Sequence, residues 1–458
     1  MNLSVATVNK LIFLPLFFLL GYHQIIDLDL GWHLASGKEI IELGVVQSSD
    51  DFLIQPNSWI NYSWLPEVLF WCCYVAVDFV GLKVLQGILC LGLGFTQIYL
   101  ISKFNPRPFI FLLALSLLLI GSYPYFQLRP QLISLIIICL SLGLSKNDDK
   151  FSYFMVILLS IILVNTHVYF FIFLLVQILL LAHKFYSEEK TETVYLILLI
   201  LASTLINPYG IYIYEPIIEY ALNHQYASKI VTEFHSVTDD KGLLLHFFII
   251  FIPFLFGCSR YFKRGISISE VAIYLLISSL FCILSFFQRK YVPLFSLFSV
   301  LFIVNAFNDS KNSFNNLQVV SLRKIIFFYF LYLGSIFLNI DLSTVSPKLI
   351  ALNNLLKSYR IEGNIITHFD DGGWVTFFSK VNNIKSRVSF DGRTLVMGEN
   401  RLRDFVNMKF NESFFCSYAA NNNVSYLIVG QDNKHFKFID SCFRIVKDDT
   451  YWKLYRYE

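Results

Sequence analysis

Apolar residues in this chain arrive in long unbroken blocks, among them 11–20, 131–140 and 170–182. A half-buried strand would alternate and a surface helix would show one stripe; these blocks do neither. Stretches of membrane-spanning length, about 20 residues, occur near 9–26, 82–101, 107–123, 129–145, 151–165, 167–184, 191–206, 243–258, 266–286, 290–306 and 322–340. A further apolar stretch, 64–80, mixes Pro66, Glu67 and Asp78 with Trp64, Trp71 and Tyr74. That mixture predicts an interfacial helix rather than a span. Beyond about residue 341 the pattern changes to short β-rich runs: Asn364–Phe369, Trp374–Phe378, Arg387–Phe390, Val424–Val429, Phe443–Val446 and Trp452–Tyr457. With a helical stretch near 398–421, these predict a small α/β domain. The expected division is a membrane domain over 1–340 and an α/β domain over 341–458.

Composition agrees with this class. Apolar residues make up 56% and charged residues 15%, against roughly 45–50% and about 25% in soluble domains. The chain reads as an all-α polytopic membrane protein with a small α/β appendage. A net charge of +3 is too small to imply nucleic-acid binding.

The basic residues fix an expected orientation. With 64–80 lying in the interface, eleven spans remain. Lys10, Lys103, Arg107, Lys146, Lys150, Lys184, Lys190, Arg260, Lys263, Arg264, Lys311, Arg323 and Lys324 then all fall inside. The N-terminus is expected to be cytoplasmic and to hold an uncleaved first span, since no small-residue cleavage site follows it. Two long loops, 27–81 and 207–242, and everything after about residue 341 then lie outside. Cys416 and Cys442 fall in the outer domain, where an oxidising compartment would let them pair. The other six cysteines lie in apolar runs and read as inert core residues.

Chemistry concentrates on the outer side. Asp27 and Asp29 follow the first span directly, with His33 four residues beyond Asp29. An ionisable group inside hydrocarbon costs about 2.5–3.5 kcal/mol even on the lenient insertion scale, so carboxylates at a span mouth suggest a function at the lipid boundary. Interruptions of later blocks gather on the same side: Arg129-Pro-Gln131, Asn165-Thr-His167, Asn207-Pro-Tyr-Gly210, Glu233-Phe-His235 and Gln288-Arg289-Lys290. Each also has a structural reading. Asp27 and Asp29 can cap the end of the span, Arg129 and Arg289-Lys290 can anchor to headgroups, and Asn165 and His167 can join helices. Glu67 can serve as a first-turn acid. Asp29 and His33 share a helix face, which suits a divalent cation weakly and a His–carboxylate hydrogen bond better.

The first outer loop, with Asp29-Leu-Gly-Trp32-His33, Gly37, Gly44, Asp50-Asp51-Phe52, Trp59 and Trp64-Leu-Pro-Glu67, resembles bacterial membrane proteins of the GT-C glycosyltransferase superfamily. The later motifs Arg129-Pro-Gln131, Asn165-Thr-His167, Asn207-Pro-Tyr-Gly210 and Phe390-Asp391-Gly392-Arg393 extend the resemblance over most of the chain. Its assigned relatives include protein O-mannosyltransferases and the lipid A aminoarabinose transferase. The loop departs from the family at Gln47, where Pro is common, and at Ser63, where an acid is common. Glu67 or Asp50 is left to supply that acid.

The resemblance implies a polyprenyl-phosphate sugar donor, an interfacial helix in the first loop and an acidic first-loop base. Asp29 is the first candidate base, followed by Asp27 and Asp50. His33 and Glu67 are orienting candidates, Arg129, Arg289 and Lys290 donor-phosphate candidates, and Gln131, Asn165, His167, Glu233 and His235 cavity-lining candidates. Asp391-Gly392-Arg393 reads as a turn held by its own ion pair. The expected activity is sugar transfer to a glycan, lipid or protein acceptor at the outer face of a bacterial cytoplasmic membrane. Two other readings compete: an O-antigen ligase or polymerase type of enzyme working through His235 and Arg289, and a non-catalytic transporter or scaffold.

Overall fold

A computed structural model describes residues 5–25, 27–188, 191–222, 230–263, 270–308, 341–432 and 435–458, with isolated positions 334 and 338. Helices form at ten of the eleven places where spans are expected, from Val5–Gly21 (α1) to Val292–Asn308. The stretch 322–340 lies outside the described residues. Six described helices are long and apolar enough to cross a membrane. The shorter Pro130–Leu144, Lys150–Val164 and Glu192–Ser203 are also apolar.

The bundle sorts its apolar surface by position. Val292–Asn308 is enclosed, with Leu294, Phe295, Phe298, Leu301 and Phe302 all buried. Peripheral helices leave Phe154, Leu198, Ile252, Leu276 and Phe287 exposed, as lipid-facing residues should be.

Between α1 and the next span the chain makes two interfacial helices. Leu30–Leu43 (α2) begins at Asp29 and ends at Gly44, whose positive φ of 70° suits glycine at that cap. Trp64–Ser102 (α3) is continuous in hydrogen bonding but broken at Val77 and Asp78, where Asp78 takes φ 55° and ψ −151°. The break separates 64–76 from the apolar run 79–102, at the boundary where sequence divides an interfacial helix from a span.

The C-terminal part carries a five-stranded sheet of order β2-β1-β3-β5-β4: Gly363–Thr367 (β1), Ser386–Val388 (β2), Val424–Gly430 (β3), Phe443–Asp448 (β4) and Trp452–Tyr457 (β5). β1 is parallel to β2 and β3, and β5 is antiparallel to β3 and β4. The expected strand at Trp374–Phe378 is instead part of the helix Gly372–Val381. All five residues are buried, so a short apolar run carried no period to distinguish strand from helix. The expected helical stretch 398–421 is two helices, Thr394–Phe410 and Glu412–Asn421, parted at Asn411, whose side chain caps the second. Cys416 and Cys442 form a disulfide that ties this last helix to the start of β4.

The sheet and the first loop share one core. Leu34, Phe52, Leu53 and Phe70 pack in the same buried cluster as Leu352, Trp374, Val388 and Trp452. Phe52 and Ile54 also exchange backbone hydrogen bonds with Val388, so the loop extends the sheet beside β2. At the crossing of α2 with Gly372–Val381, a Cβ on Gly31 would lie 2.6 Å from the Gly373 carbonyl carbon. Two glycines therefore let the two backbones touch, and the Trp374 indole donates to the Asp27 carbonyl at 3.0 Å.

Candidate functional site

The start of α2 explains how two neighbouring aspartates take different roles. Asp27 turns inward, and its Oδ1 accepts the backbone N–H groups of Asp29 (2.8 Å) and Leu30 (3.0 Å). It thus satisfies two donors at the head of a helix, as a capping side chain does. It caps the helix that follows rather than the span before it, and at 3% exposure it does not reach the cavity. Asp29 is freed to face outward, with its carboxyl side chain 26% exposed.

Arg129 meets both aspartates. It precedes Pro130 and takes an extended backbone (φ −130°, ψ 154°), which keeps it out of the helix Pro130–Leu144. Its Nε donates to Asp27 Oδ2, and its Nη1 donates to Glu233 Oε1. The same Nη1 stands 3.3 Å from Asp29 Oδ2. Asp29 Oδ1 accepts from the Trp32 indole at 3.2 Å. Burial pushes the Asp29 carboxyl up to about 7, with the Asp27 and Glu233 charges adding to the rise while Arg129 and the Trp32 indole oppose it. Gly392, from the far end of the chain, closes over this group: a Cβ there would overlap Asp29 Oδ1 and lie 3.3 Å from Trp32 Nε1.

Beneath this layer are two buried networks. His33 does not pair with Asp29; its Nδ1 is 2.9 Å from Glu67 Oε1. Glu67, fully buried, also accepts from Ser36 Oγ at 2.5 Å and Asn61 Nδ2 at 2.6 Å. Asp50 is likewise fully buried, far from acting as a base: it accepts the N–H groups of Phe52 and Leu53 and stands 2.8 Å from Arg393 Nη1. Arg393 also pairs with Asp391 at 2.5 Å, and its guanidinium lies 4.7 Å from the ring centres of both Phe52 and Trp59. The turn 391–393 is thus held by its own ion pair and also bound to the first loop.

These layers surround a cavity of about 350 Å³ lined by Asp29, Trp32, His33, Arg129, Gln131, His167, Glu233 and Lys290. Gln131 donates to the Tyr169 hydroxyl, which donates in turn to the Lys290 carbonyl at 3.1 Å. Lys290 lies 4.5 Å from the Phe234 ring centre. His167 accepts the Tyr169 N–H on Nδ1 at 3.3 Å.

Three expected members stand elsewhere. Arg289 turns to Asp240 at 3.1 Å, and His235 gives its carbonyl to the Arg289 N–H at 2.8 Å; neither lines the cavity. Asn165 joins helices, accepting the Trp64 indole at 2.8 Å and donating to the carbonyls of Ile161 and Ile206. Sequence reasoning missed Glu215, Glu219 and Asp370, which line the same cavity. The Asp370-Asp371-Gly-Gly-Trp374 run, with paired acids before a double glycine, was the available signal for the last. No set of three or more His, Cys, Asp or Glu among the described residues is arranged to hold a metal. The Asp29/His33 pair does not serve, since one turns to Arg129 and the other to Glu67.

No family model and no curated protein matches this chain. Solved structures do. The archaeal oligosaccharyltransferase AglB from Archaeoglobus fulgidus, in complex with an inhibitory peptide and a dolichol-phosphate, matches with a TM-score of 0.65 at 12% identity, over 92% of this chain and 69% of that one. The apo form of the Archaeoglobus fulgidus oligosaccharyltransferase matches with the same score over 93% and 69%. ArnT from Cupriavidus metallidurans, bound to undecaprenyl phosphate, matches with a TM-score of 0.53 at 10% identity, over 98% and 97%. At these identities the likeness is one of fold: the chain shares the architecture of the oligosaccharyltransferase and ArnT structures.

Proposed function

We propose that this chain is a membrane glycosyltransferase that moves a sugar from a polyprenyl-phosphate donor to an acceptor hydroxyl, with Asp29 as general base. The observation that carries the reading is Asp29 itself. It is the carboxylate at the head of α2 that faces the cavity, beside a guanidinium and within a fold shared with enzymes solved around dolichol-phosphate and undecaprenyl phosphate.

In the proposed step Asp29 takes the proton of the acceptor hydroxyl. The acceptor oxygen bonds to the anomeric carbon as the bond from that carbon to the phosphate oxygen breaks. The polyprenyl phosphate leaves with the electron pair, and Arg129 and Lys290 stabilise its growing negative charge. Donor activation supplies the driving force, so no nucleotide is needed. A base with a pKa near the working pH combines adequate ionisation with useful proton affinity, which suits a carboxyl raised to about 7. His33, Glu67, Asp27 and Asp50 act in this proposal as positioning residues, since each is buried and satisfied by neighbours.

The proposed setting is a bacterial cytoplasmic membrane, with the cavity and the α/β domain outside. The Cys416–Cys442 disulfide supports that side, because such bonds persist in oxidising compartments. The concentration of Lys and Arg in the opposite turns supports it too. The ligase reading loses its proposed machinery, because Arg289 and His235 do not line the cavity.

The test is transfer of radiolabelled sugar from a lipid-phosphate extract by membranes holding wild type, Asp29→Asn or Arg129→Ala. Loss of labelled product with Asp29→Asn at unchanged protein level is expected. Robust transfer untouched by that substitution would overturn the proposal.

A further inference from the structure

β1 is parallel to both of its neighbours, and the chain leaves it for β2 on one side and returns as β3 on the other. Where strand order reverses in this way, open α/β sheets place ligands in the crevice past the carboxyl ends of the strands. His368 directly follows β1, and His435 comes from the loop after β3. Their rings stack with centres 4.2 Å apart. Lys409, in the last turn of Thr394–Phe410, arrives at the same place. Its ammonium rests 4.5 Å from the centre of the Phe405 ring, which the His368 ring meets at 5.5 Å.

Three basic side chains thus share one crevice, and each makes charge on the others costlier. Burial first, then the charges of His435, Lys409 and Lys348, push the His368 imidazole down to about 3. Burial and Lys409 also lower His435, against the pull of Asp432. Two carboxylates stand close by, with other attachments. Asp371 pairs with Lys348 at 3.3 Å, and Asp370 lies 3.5 Å from His368 Nδ1 and lines the cavity. Among the described residues Lys409 makes no ion pair or hydrogen bond; its contact is the Phe405 ring. His368 Nδ1 accepts the Asp370 N–H at 3.3 Å, which leaves the ring proton on Nε2. That Nε2 has no hydrogen-bond partner among the described residues. An ammonium and an N–H donor side by side are complementary to a phosphate or a carboxylate.

The crevice adjoins the proposed reaction site. Phe369 and Asp370 follow His368 and line the cavity wall, and two residues span at most about 7 Å. The donor phosphate is already assigned to Arg129 and Lys290, so an anion held here belongs to the other substrate. We propose that Lys409 and His368, with His435 stacked on it, form an anion site that seats a phosphate or carboxylate carried by the acceptor. Assigning the anion to the acceptor rests on the proposed transfer; the anion site itself does not.

The experiment uses the full-length protein in detergent, labelled with diethyl pyrocarbonate. Modification of His368 is read by mass spectrometry with glucose 6-phosphate, glucuronate or neutral glucose present. The acidic sugars are expected to slow labelling of His368 and glucose to leave it unchanged. Slowing by glucose 6-phosphate alone assigns the site to phosphate, and slowing by glucuronate alone assigns it to carboxylate. Lys409→Ala should weaken the protection about tenfold or more, the worth of one charge-assisted hydrogen bond, while Lys409→Arg keeps it. If Lys409→Ala does not fold, Lys409→Gln keeps the stem on Phe405 without the charge and takes its place. Labelling untouched by either acid, slowed equally by glucose, or protected equally in the folded lysine variant would overturn the site. In the transfer assay, the acid that protects should inhibit wild type and spare Lys409→Ala. Equal inhibition of both, or none, would overturn the acceptor role alone. Labelling needs no turnover, so its outcome is separate from whether sugar transfer is found.

Discussion

Replacing Gly392 with alanine tests whether the C-terminal part sets the catalytic geometry. The added Cβ would overlap Asp29 Oδ1 and sit 3.1 Å from its Cγ, so one partner must move by roughly an ångström to restore normal contact. The loop is the harder of the two to move. Its next residue, Arg393, is anchored between buried Asp391 and Asp50 and packed against Phe52 and Trp59. The Asp29 carboxyl therefore swings, losing the Trp32 indole bond. Overpacking of this kind costs about 1–3 kcal/mol, and misplacing a reacting group by about 1 Å costs on the order of a hundredfold in rate. Gly392→Ala should thus fold with a lowered thermal midpoint and transfer sugar roughly a hundredfold more slowly per folded molecule. The KM for the lipid donor should change little, because Arg129 keeps its pairs with Asp27 and Glu233 and Lys290 is untouched. The assay is labelled-sugar transfer normalised to the monodisperse fraction on size exclusion. A folded Gly392→Ala protein working at the wild-type rate would refute the argument that this contact positions Asp29.

Four further outcomes are expected. With Asp29 raised to about 7, transfer by wild type should rise with pH through about 7 and then level off, because the base acts only when ionised. A pH profile flat from 5 to 9 would contradict that role. The same shift has a stability consequence: the folded state holds this proton where the unfolded chain has lost it, so the contribution of Asp29 is greatest below its unfolded value and is lost as pH rises to about 7. Arg393→Met should destabilise the protein by about 3–5 kcal/mol by leaving Asp50 and Asp391 buried without their partner. Adding Asp50→Asn and Asp391→Asn should recover part of the loss in thermal melts and limited proteolysis. Glu67→Leu should cost several kcal/mol, since His33, Ser36 and Asn61 would each lose an acceptor at about 1–3 kcal/mol apiece; unchanged melting would show that water replaces it.

Much of the helical architecture was legible because bilayer-length apolar blocks leave little choice of structure. The break inside α3 could also be expected, since Asp78 at its centre is a poor resident of a span. Asp29, Arg129, Glu233 and Lys290 were legible as polar interruptions at span ends, and they share one cavity. What sequence could not supply was direction. Asp27 and Asp29 are two residues apart and equally acidic, yet one caps a backbone and the other faces the cavity. The difference arises from the helix that begins at Leu30, just after Asp29. His33 shows the same limit: its four-residue spacing from Asp29 suggested a partner, but packing against α3 brought Glu67 nearer. Gly392 was legible only as part of a turn, because its neighbour in space lies at the other end of the chain. The run Trp374–Phe378 failed because all five of its residues are buried, Thr376 included, so no exposed position marks its period.

The bond from the Trp374 indole to the Asp27 carbonyl joins residues 347 positions apart. During synthesis, the first loop is made early and waits beside an unfinished wall, while Gly392 and Arg393 are still untranslated. The cavity can close only after the last part of the chain has been delivered to the same side of the membrane as the first loop and has docked there. Chains lacking that part would lose Asp370, Gly392 and Arg393 from the cavity wall and the core that the first loop shares with the sheet. Completion of the proposed site is thus tied to the docking of the C-terminal part on the first loop.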